Sequence, residues 1–239
     1  MDTLNTTTPH VSIVIPVYNE SGNLASLVDE IEHTLVPRMR FEVIVVDDGS
    51  NDPTPDEVAG LGATRPWLRA VAHEMNLGQS AAIRTGVLAA RAPIVAVLDG
   101  DGQNDPADLP KLYAALEFSG ASMIVGERRT RRDTYVRRLS SRIANGVRSS
   151  LLHDGIRDTG CGLKMFRREI FLELPAFDHM HRFLPALVQS RGGTVRTVPV
   201  NHRPRRFGQS KYGIRNRLWT GILDLVGVMW LSRRQIPGR

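Results

Sequence analysis

The stretch VAVLDGDGQNDP, residues 95–106, runs an apolar β-branched segment into two aspartates split by one glycine, with a third aspartate four residues on. Asp99, Asp101 and Asp105 repel one another unless something positive sits among them. The turn is either a solvated acidic loop or a site for a divalent cation. Working outward, residues 94–98 form one of several short apolar runs. Val11–Val17 (VSIVIPV), residues 41–46 (FEVIVV) and, more weakly, residues 68–73 also read as strands. Between them Leu24, Leu27, Val28, Ile31 and Leu35 recur at helical spacing behind Ser21, a candidate cap. Residues 79–91 and 106–118 read as helices, and DDGSNDPTP is dense in turn formers. Strands alternating with helices predict an α/β fold around a mostly parallel sheet. Ligands then bind outside the carboxyl ends of the strands, where PVYNE, DDGSND and DGDGQ all fall.

The second half has a different texture. Residues 128–148 carry eight arginines, with a helix expected over about 135–152. Residues 163–167 and 194–200 read as strands, 181–191 as a helix, and NHRPRRFGQSKYG as a basic loop. No low-complexity linker and no repeat divides the 239 residues, so one domain is the simpler reading. The net charge of +6 hides a split: residues 1–120 hold 7 Lys/Arg against 17 Asp/Glu, and residues 121–239 hold 24 against 8. Such a basic half suits phosphate, whether on nucleic acid, a membrane or a phosphorylated substrate. The single cysteine, Cys161, excludes an intrachain disulfide and suits a reducing compartment. The polar opening residues show no secretory signal. The apolar run at residues 218–231 is too short to span a bilayer and is interrupted by Asp224. Arg215, Arg217, Arg233 and Arg234 flank it and Trp219 and Trp230 lie near its ends. Either a helix in the membrane interface or one packed on the core or on a second subunit reads this way.

Each motif carries its own chemistry. Asp99 and Asp101 at i and i+2 can converge on one Mg²⁺ or Mn²⁺ if the backbone turns at Gly100, leaving the other positions to phosphates and water. Asp47 and Asp48 offer acceptors for a base N–H or a ribose hydroxyl, although Asp48, Ser50 and Asp52 can equally bond their own turn. Tyr18 can stack on a base and Glu20 can take a ribose hydroxyl. NLGQSAAIRTG, residues 76–86, opens a helix whose N-terminus favours phosphate, but it lacks the lysine of a phosphate-binding loop and the glycine pattern of a dinucleotide fold. Ser80, Ala81, Ala82 and Gly86 there suit close helix–sheet packing. Arg206, Ser210 and Lys211 around Gly208 place donors on a flexible loop fit for diphosphate or lipid phosphate. His73 and His153 read as structural, His181 less easily so, and no nucleophile elbow is present.

Taken together, PVYNE, DDGSND, NLGQSAAIRTG, DGDGQ-x-x-P, DTGCGLKMF, HRFLPAL and RRFGQSKYG resemble family-two glycosyltransferases of the polyprenyl-phosphate type, the dolichol-phosphate mannosyltransferases and their bacterial undecaprenyl-phosphate relatives. The resemblance runs from about Val11 to Tyr212 and implies a GT-A fold, with a nucleotide-binding half followed by an acceptor half. It implies that Pro16, Tyr18, Asn19, Glu20, Asp47, Asp48, Ser50, Asn76 and Gly78 serve the nucleotide sugar, and that Asp99, Asp101 and Gln103 serve the metal and its diphosphate. It implies that Arg128, Arg137 and Ser141 face the acceptor phosphate, that Asp158 lies near the acceptor, and that Arg206, Ser210 and Lys211 close over the substrates. The family often reads D-A-D where this chain has Asp99-Gly100-Asp101, a tolerable change.

The expected activity is metal-dependent transfer, with inversion, from a UDP- or GDP-sugar to a polyprenyl monophosphate. A glycan or protein acceptor is the nearer rival. A non-catalytic basic module for membrane or nucleic acid is the remoter one, and nucleic acid is not an expected partner. The expected organisation is a lead-in over residues 1–10, a GT-A domain over 11–213 and an amphipathic C-terminal helix over 214–239. The expected setting is the cytoplasm, peripherally on the inner face of the cytoplasmic membrane, with an anionic surface, a membrane-protein partner or a second copy as docking partners.

Overall fold

The computed structural model describes residues 8–128, 151–152, 154–205 and 214–234, the side chains of 214–220 and 222 excepted. Seven strands build one sheet: β1 (Val11–Val17), β2 (Phe41–Asp47), β3 (Leu68–Ala72), β4 (Ile94–Val97), β5 (Met123–Arg128), β6 (Lys164–Arg167) and β7 (Val195–Val200). Their order is β3-β2-β1-β4-β6-β5-β7. All pairings are parallel except those of β6, which runs antiparallel to β4 and β5. Chain order turns outward through β2 and β3 on one side of β1 and resumes at β4 on the other. The switch point of the sheet therefore lies between β1 and β4, where ligands of such folds bind.

The central strands are buried on both faces, which is why they read as continuous apolar runs. Ile13, Ile15 and Val17 point to one layer with α1 (Leu24–Leu35), α2 (Thr54–Thr64) and α4 (Leu109–Ser119). Val14, Ile44 and Val97 point to the other, with α3 (Gln79–Ala89), α5 (Arg168–Leu172), α6 (Leu184–Ser190) and part of α7 (Ile214–Arg233).

Several expectations shift. Helix α1 starts after Asn23, and Ser21 lies in the preceding turn, where its N–H donates to Asp52 Oδ2. The turn-rich DDGSNDPTP gives way at Thr54 to α2, with Pro53 fixing the entry and Asp56 and Glu57 in the first turn. Strand β5 follows a helix end at Gly120 and was hidden in a short mixed run. The expected helix over 181–191 is a 3₁₀ turn at Met180–Arg182 followed by α6, where Pro185 sits in the first turn. The helix expected over 135–152 lies outside the described residues except at Leu151 and Leu152, which are helical.

Candidate active site

The loops after β1 and β2 are fastened to each other by side chains that accept from backbone. Asn19 N–H donates to Ser50 Oγ (2.8 Å) and Asn51 N–H to Asn19 Oδ1 (2.8 Å). Glu20 N–H donates to Thr54 Oγ1 (2.9 Å), and the N–H groups of Gly22 and Ala25 to the carboxylate of Glu57 (2.8 and 3.0 Å). Asp47 accepts from Ser50 N–H (3.1 Å). Asp48 is buried, and its carboxylate accepts from Leu77 N–H (2.9 Å) and Gly78 N–H (2.8 Å) and pairs with His73 Nδ1 (2.7 Å). Asp48 thus ties the 76–78 loop to the end of β2, and the start of α3 is held over the sheet. Pro16, Tyr18, Asn19, Glu20, Asp47, Asp48, Ser50, Asn76 and Gly78 converge at the carboxyl ends of β1 and β2.

Asp99 and Asp101 stand at the exit of β4, across the switch point. Gln79, the first residue of α3, donates to Asp99 Oδ1 (2.9 Å). Burial, foremost, and the neighbouring Asp101 push the Asp99 carboxyl above its ordinary range, against the pull of Lys164, Asn104 and Arg128. Asp101 accepts from Gln103 N–H (3.0 Å) and from Arg205 Nη2 (2.9 Å), and Arg205 also lies 3.7 Å from Glu20 Oε1. The backbone turns at Gly100 and Asp101, as expected, and its positive φ falls at Gly102 (+70°). Gly100 also serves close packing, since a Cβ there would lie 2.6 Å from Val17 Cγ1.

Asp105 leaves the acidic trio. It accepts from Ala107 N–H (3.0 Å) and from Asn201 Nδ2 (3.2 Å), and Arg203 Nη2 lies 2.6 Å from its Oδ1. Burial opposes ionisation of Asp105, but these donors together hold its carboxyl below the ordinary range. Asp105 is therefore a clamp on the segment leaving β7. The positive charge that the triplet demands is supplied in part by Arg203 and Arg205, which the sequence reading did not single out.

At the end of β5 Arg128 and Asp158 form a two-pronged pair. Arg128 Nε and Nη2 donate to Asp158 Oδ2 and Oδ1 (2.8 and 2.7 Å), and Arg128 N–H adds a third bond at 3.2 Å. Lys164, on β6, is 5% exposed and within the electrostatic reach of both Asp99 and Asp158. Ser80 Oγ lies 2.7 Å from His181 Nδ1. Burial, with Lys164, Arg182 and His179 nearby, holds the His181 imidazole well below its usual range. Arg137, Ser141, Arg206, Ser210 and Lys211 lie outside the described residues.

The donor set fits a hard divalent cation. Two carboxylates, one of them disfavoured as an anion by its setting, could offer the oxygen ligands that such a cation takes. No group of three or more His, Cys, Asp or Glu suited to a metal exists among the described residues.

The Glycosyl transferase family 2 profile matches residues 12–174, which spans β1 to the end of α5. The chain belongs to glycosyl transferase family 2. It is 36% identical over 228 residues to the dodecaprenyl-phosphate galacturonate synthase of Rhizobium johnstonii, covering 93% of this chain and 67% of that protein. It is 34% identical over 225 residues to the undecaprenyl-phosphate 4-deoxy-4-formamido-L-arabinose transferase of Edwardsiella ictaluri, covering 90% and 66%. The chain thus spans about two thirds of the length of these relatives. Among solved structures it resembles the glucosyl-3-phosphoglycerate synthase of Mycobacterium tuberculosis in complex with Mg²⁺ and UDP (TM-score 0.72, 21% identity, 96% of this chain and 81% of that one). It also resembles a mannosyltransferase of Pyrobaculum calidifontis in complex with GDP-Man and Mn²⁺ (TM-score 0.66, 20% identity, 98% and 67%). This family-2 transferase has the GT-A fold, with a mixed seven-stranded sheet.

Proposed function

We propose that this family-2 glycosyltransferase moves a sugar from a nucleoside-diphosphate sugar to a polyprenyl monophosphate, with inversion at the anomeric carbon. The observation that carries the reading is the convergence of four motif loops on the β1/β4 switch point, with Asp99 and Asp101 facing the nucleotide-side loops. The names of the relatives support the acceptor class. The complexes of the structural neighbours support Mg²⁺ or Mn²⁺ at Asp99 and Asp101, with Gln103 beside them.

A bound cation would offset the charge that grows on the departing diphosphate. The chain's own residues do the rest. Tyr18, Glu20 and the Asp48-braced loop cradle the nucleoside. Arg128, held rigid by Asp158, faces the acceptor phosphate, with Arg137 and Ser141 assigned the same task and Arg206, Ser210 and Lys211 closing over both substrates. A lipid phosphate has its second pKa near about 6, so it is largely ionised at neutral pH and needs no strong base. Asp158 suits this scheme as an orienting group, since three N–H groups of Arg128 already occupy it.

The setting we propose is the cytoplasmic face of a membrane, reached through α7. Leu223, Val226 and Trp230 are 71%, 58% and 57% exposed at helical spacing, and the exposed Arg233 and Arg234 follow. No helix among the described residues is long and apolar enough to cross a membrane.

The test is direct. Purified protein is screened by thermal shift against UDP, GDP and their sugars, with Mn²⁺ or EDTA, and then assayed with undecaprenyl phosphate and with water-soluble acceptors. Metal-dependent stabilisation and lipid-phosphate turnover are expected. Full activity in EDTA, or turnover only on soluble acceptors, overturns the reading.

A further inference from the structure

Lys164 is the buried charge that the scheme above leaves without a task. It sits on the antiparallel strand β6, in register with Val97 of β4 and Val125 of β5. Its side chain leaves the strand on the α3/α6 face and is 5% exposed. A lysine here carries a desolvation cost that an apolar residue of similar size would not. Burial, foremost, holds its pKa below the ordinary lysine range, against the partial pull of Cys161, Asp99 and Asp158. An ammonium carries three N–H donors. Among the described residues its one hydrogen-bond acceptor is the carbonyl oxygen of Cys161. Its other two donors find no acceptor among the described residues, in a place nine-tenths closed to water.

The surroundings say where those donors are needed. Asp99 belongs to the carboxylate pair on the nucleotide side, and Asp158 is the partner of Arg128 on the acceptor side. Lys164 feels both carboxylates, and its charge in turn depresses the His181 imidazole beside Ser80. In a transfer between a diphosphate and an acceptor phosphate, the group that lies between the two is the sugar. Pyranose hydroxyl or carboxylate oxygens are acceptors suited to an ammonium. A site whose buried donors go unpaired without its substrate rejects analogues that lack the matching acceptor.

We propose that Lys164 is a sugar-contacting residue of this transferase, donating to oxygen atoms of the sugar that the nucleotide carries. The assignment rests on the glycosyltransferase reading and deepens it, because it separates sugar recognition from diphosphate and metal binding. A role confined to packing or to holding Asp99 would weaken diphosphate and nucleotide sugar alike.

The experiment measures binding to the full chain by titration calorimetry in Mn²⁺. The probes are UDP, GDP, UDP-glucose, UDP-glucuronic acid and GDP-mannose, against wild type, Lys164→Met and Lys164→Gln, with thermal melts to verify folding. For the nucleotide sugar that wild type prefers, Lys164→Met is expected to lose about tenfold or more in affinity, as for a lost hydrogen bond to a charged donor. Its affinity for the matching bare diphosphate should stay within about twofold. Lys164→Gln, which keeps N–H donors without the charge, should fall between, and it carries the test if the Met variant does not fold. A loss confined to UDP-glucuronic acid assigns the contact to a sugar carboxylate, and a loss with a neutral sugar assigns it to hydroxyls. Equal losses for sugar-bearing and bare nucleotides, or no loss for either, overturn the proposal. Failure of wild type to bind any nucleotide sugar would instead sink the transferase reading itself.

Discussion

At Gly162 a Cβ would lie 1.8 Å from Asp99 Oδ2 and 2.4 Å from its Cγ, with Asn104 Nδ2 at 2.9 Å. The DTGCG loop therefore walls the carboxylate in, and a methyl group at 162 can be admitted only if Asp99 turns away. Gly162→Ala should stay folded yet lose about tenfold or more in Mn²⁺-dependent nucleotide affinity, read by calorimetry; unchanged affinity would contradict the role given to Asp99. The setting of Asp99 also predicts a trade between stability and function. Its folded pKa is raised, so the folded protein binds the proton more readily than the unfolded chain. That contribution favours the fold below the ordinary carboxylate range and is lost as pH rises through the raised value. At neutral pH the ionised carboxyl is a cost, and Asp99→Asn should raise the metal-free Tm by ~2–4 °C, on the order of 1 kcal/mol. The gain should shrink as the melt is repeated toward pH 4, and stabilisation by Mn²⁺ with nucleotide should disappear.

Helix α3 carries the site at the scale of elements. Gln79 reaches Asp99, Gly78 N–H reaches Asp48, and Ser80 reaches His181, all from the first turn and the residue before it. The helix can do this only by lying close on the sheet. A Cβ at Gly86 would meet Val14 Cγ1 at 2.3 Å and Val46 Cγ2 at 3.2 Å. Gly86→Ala should destabilise the fold by about 1–3 kcal/mol, through overpacking against two central strands, and should weaken nucleotide binding by tilting Gln79. Urea unfolding and calorimetry check the two effects separately, and a variant as stable as wild type would refute the close approach. This helix was legible because its alanines, Gly86 and the preceding NLG share one short motif. Helix α2 was less so, because its start lies in a run of turn residues whose side chains cap and brace rather than pack. The antiparallel β6 was legible as a strand but not in direction, since direction is set by what the chain does between β5 and β6. Asp99 and Asp101 could be read from their place after an apolar strand. Arg203, Arg205 and Lys164 could not, because an arginine or lysine in a basic half looks like solvated charge until burial and partners are seen. Lys164 did carry one signal: it interrupts an apolar strand destined for the sheet interior, where lysine is rarely found unpaired.

At the scale of the molecule the charge split acquires a direction. The acidic half supplies carboxylates at the exits of β1 and β4, and the basic half returns Arg203 to Asp105 and Arg205 to Asp101 and Glu20 from the end of β7. Beyond β7 the chain enters α7, whose two sides differ. Val228 is buried, Leu225 packs against the core beside α6, and Asp224 Oδ2 lies 3.0 Å from His179 Nδ1. The opposite side shows Leu223, Val226 and Trp230, and Arg234 lies over the Trp230 ring at 5.5 Å. Because one side is anchored to the core through Val228 and Asp224, the other has a fixed orientation relative to the sheet. An apolar stripe edged by Arg233 and Arg234 matches an anionic bilayer surface, with acyl chains under the stripe and lipid phosphates on the guanidinium groups. The full chain should co-sediment with vesicles containing phosphatidylglycerol and bind neutral vesicles less well, a preference that shrinks as salt is raised. Replacing Leu223, Val226 and Trp230 together with Ser should weaken vesicle binding by about tenfold or more, since each loses buried apolar area in the interface. Arg233→Glu with Arg234→Glu should instead abolish the preference for anionic lipid. Nucleotide binding by both variants should remain as in wild type, because the described contacts of α7 are with α6 and the 178–182 turn. Binding to vesicles unaffected by either set of changes would remove α7 from the membrane and leave its outer side to a protein partner.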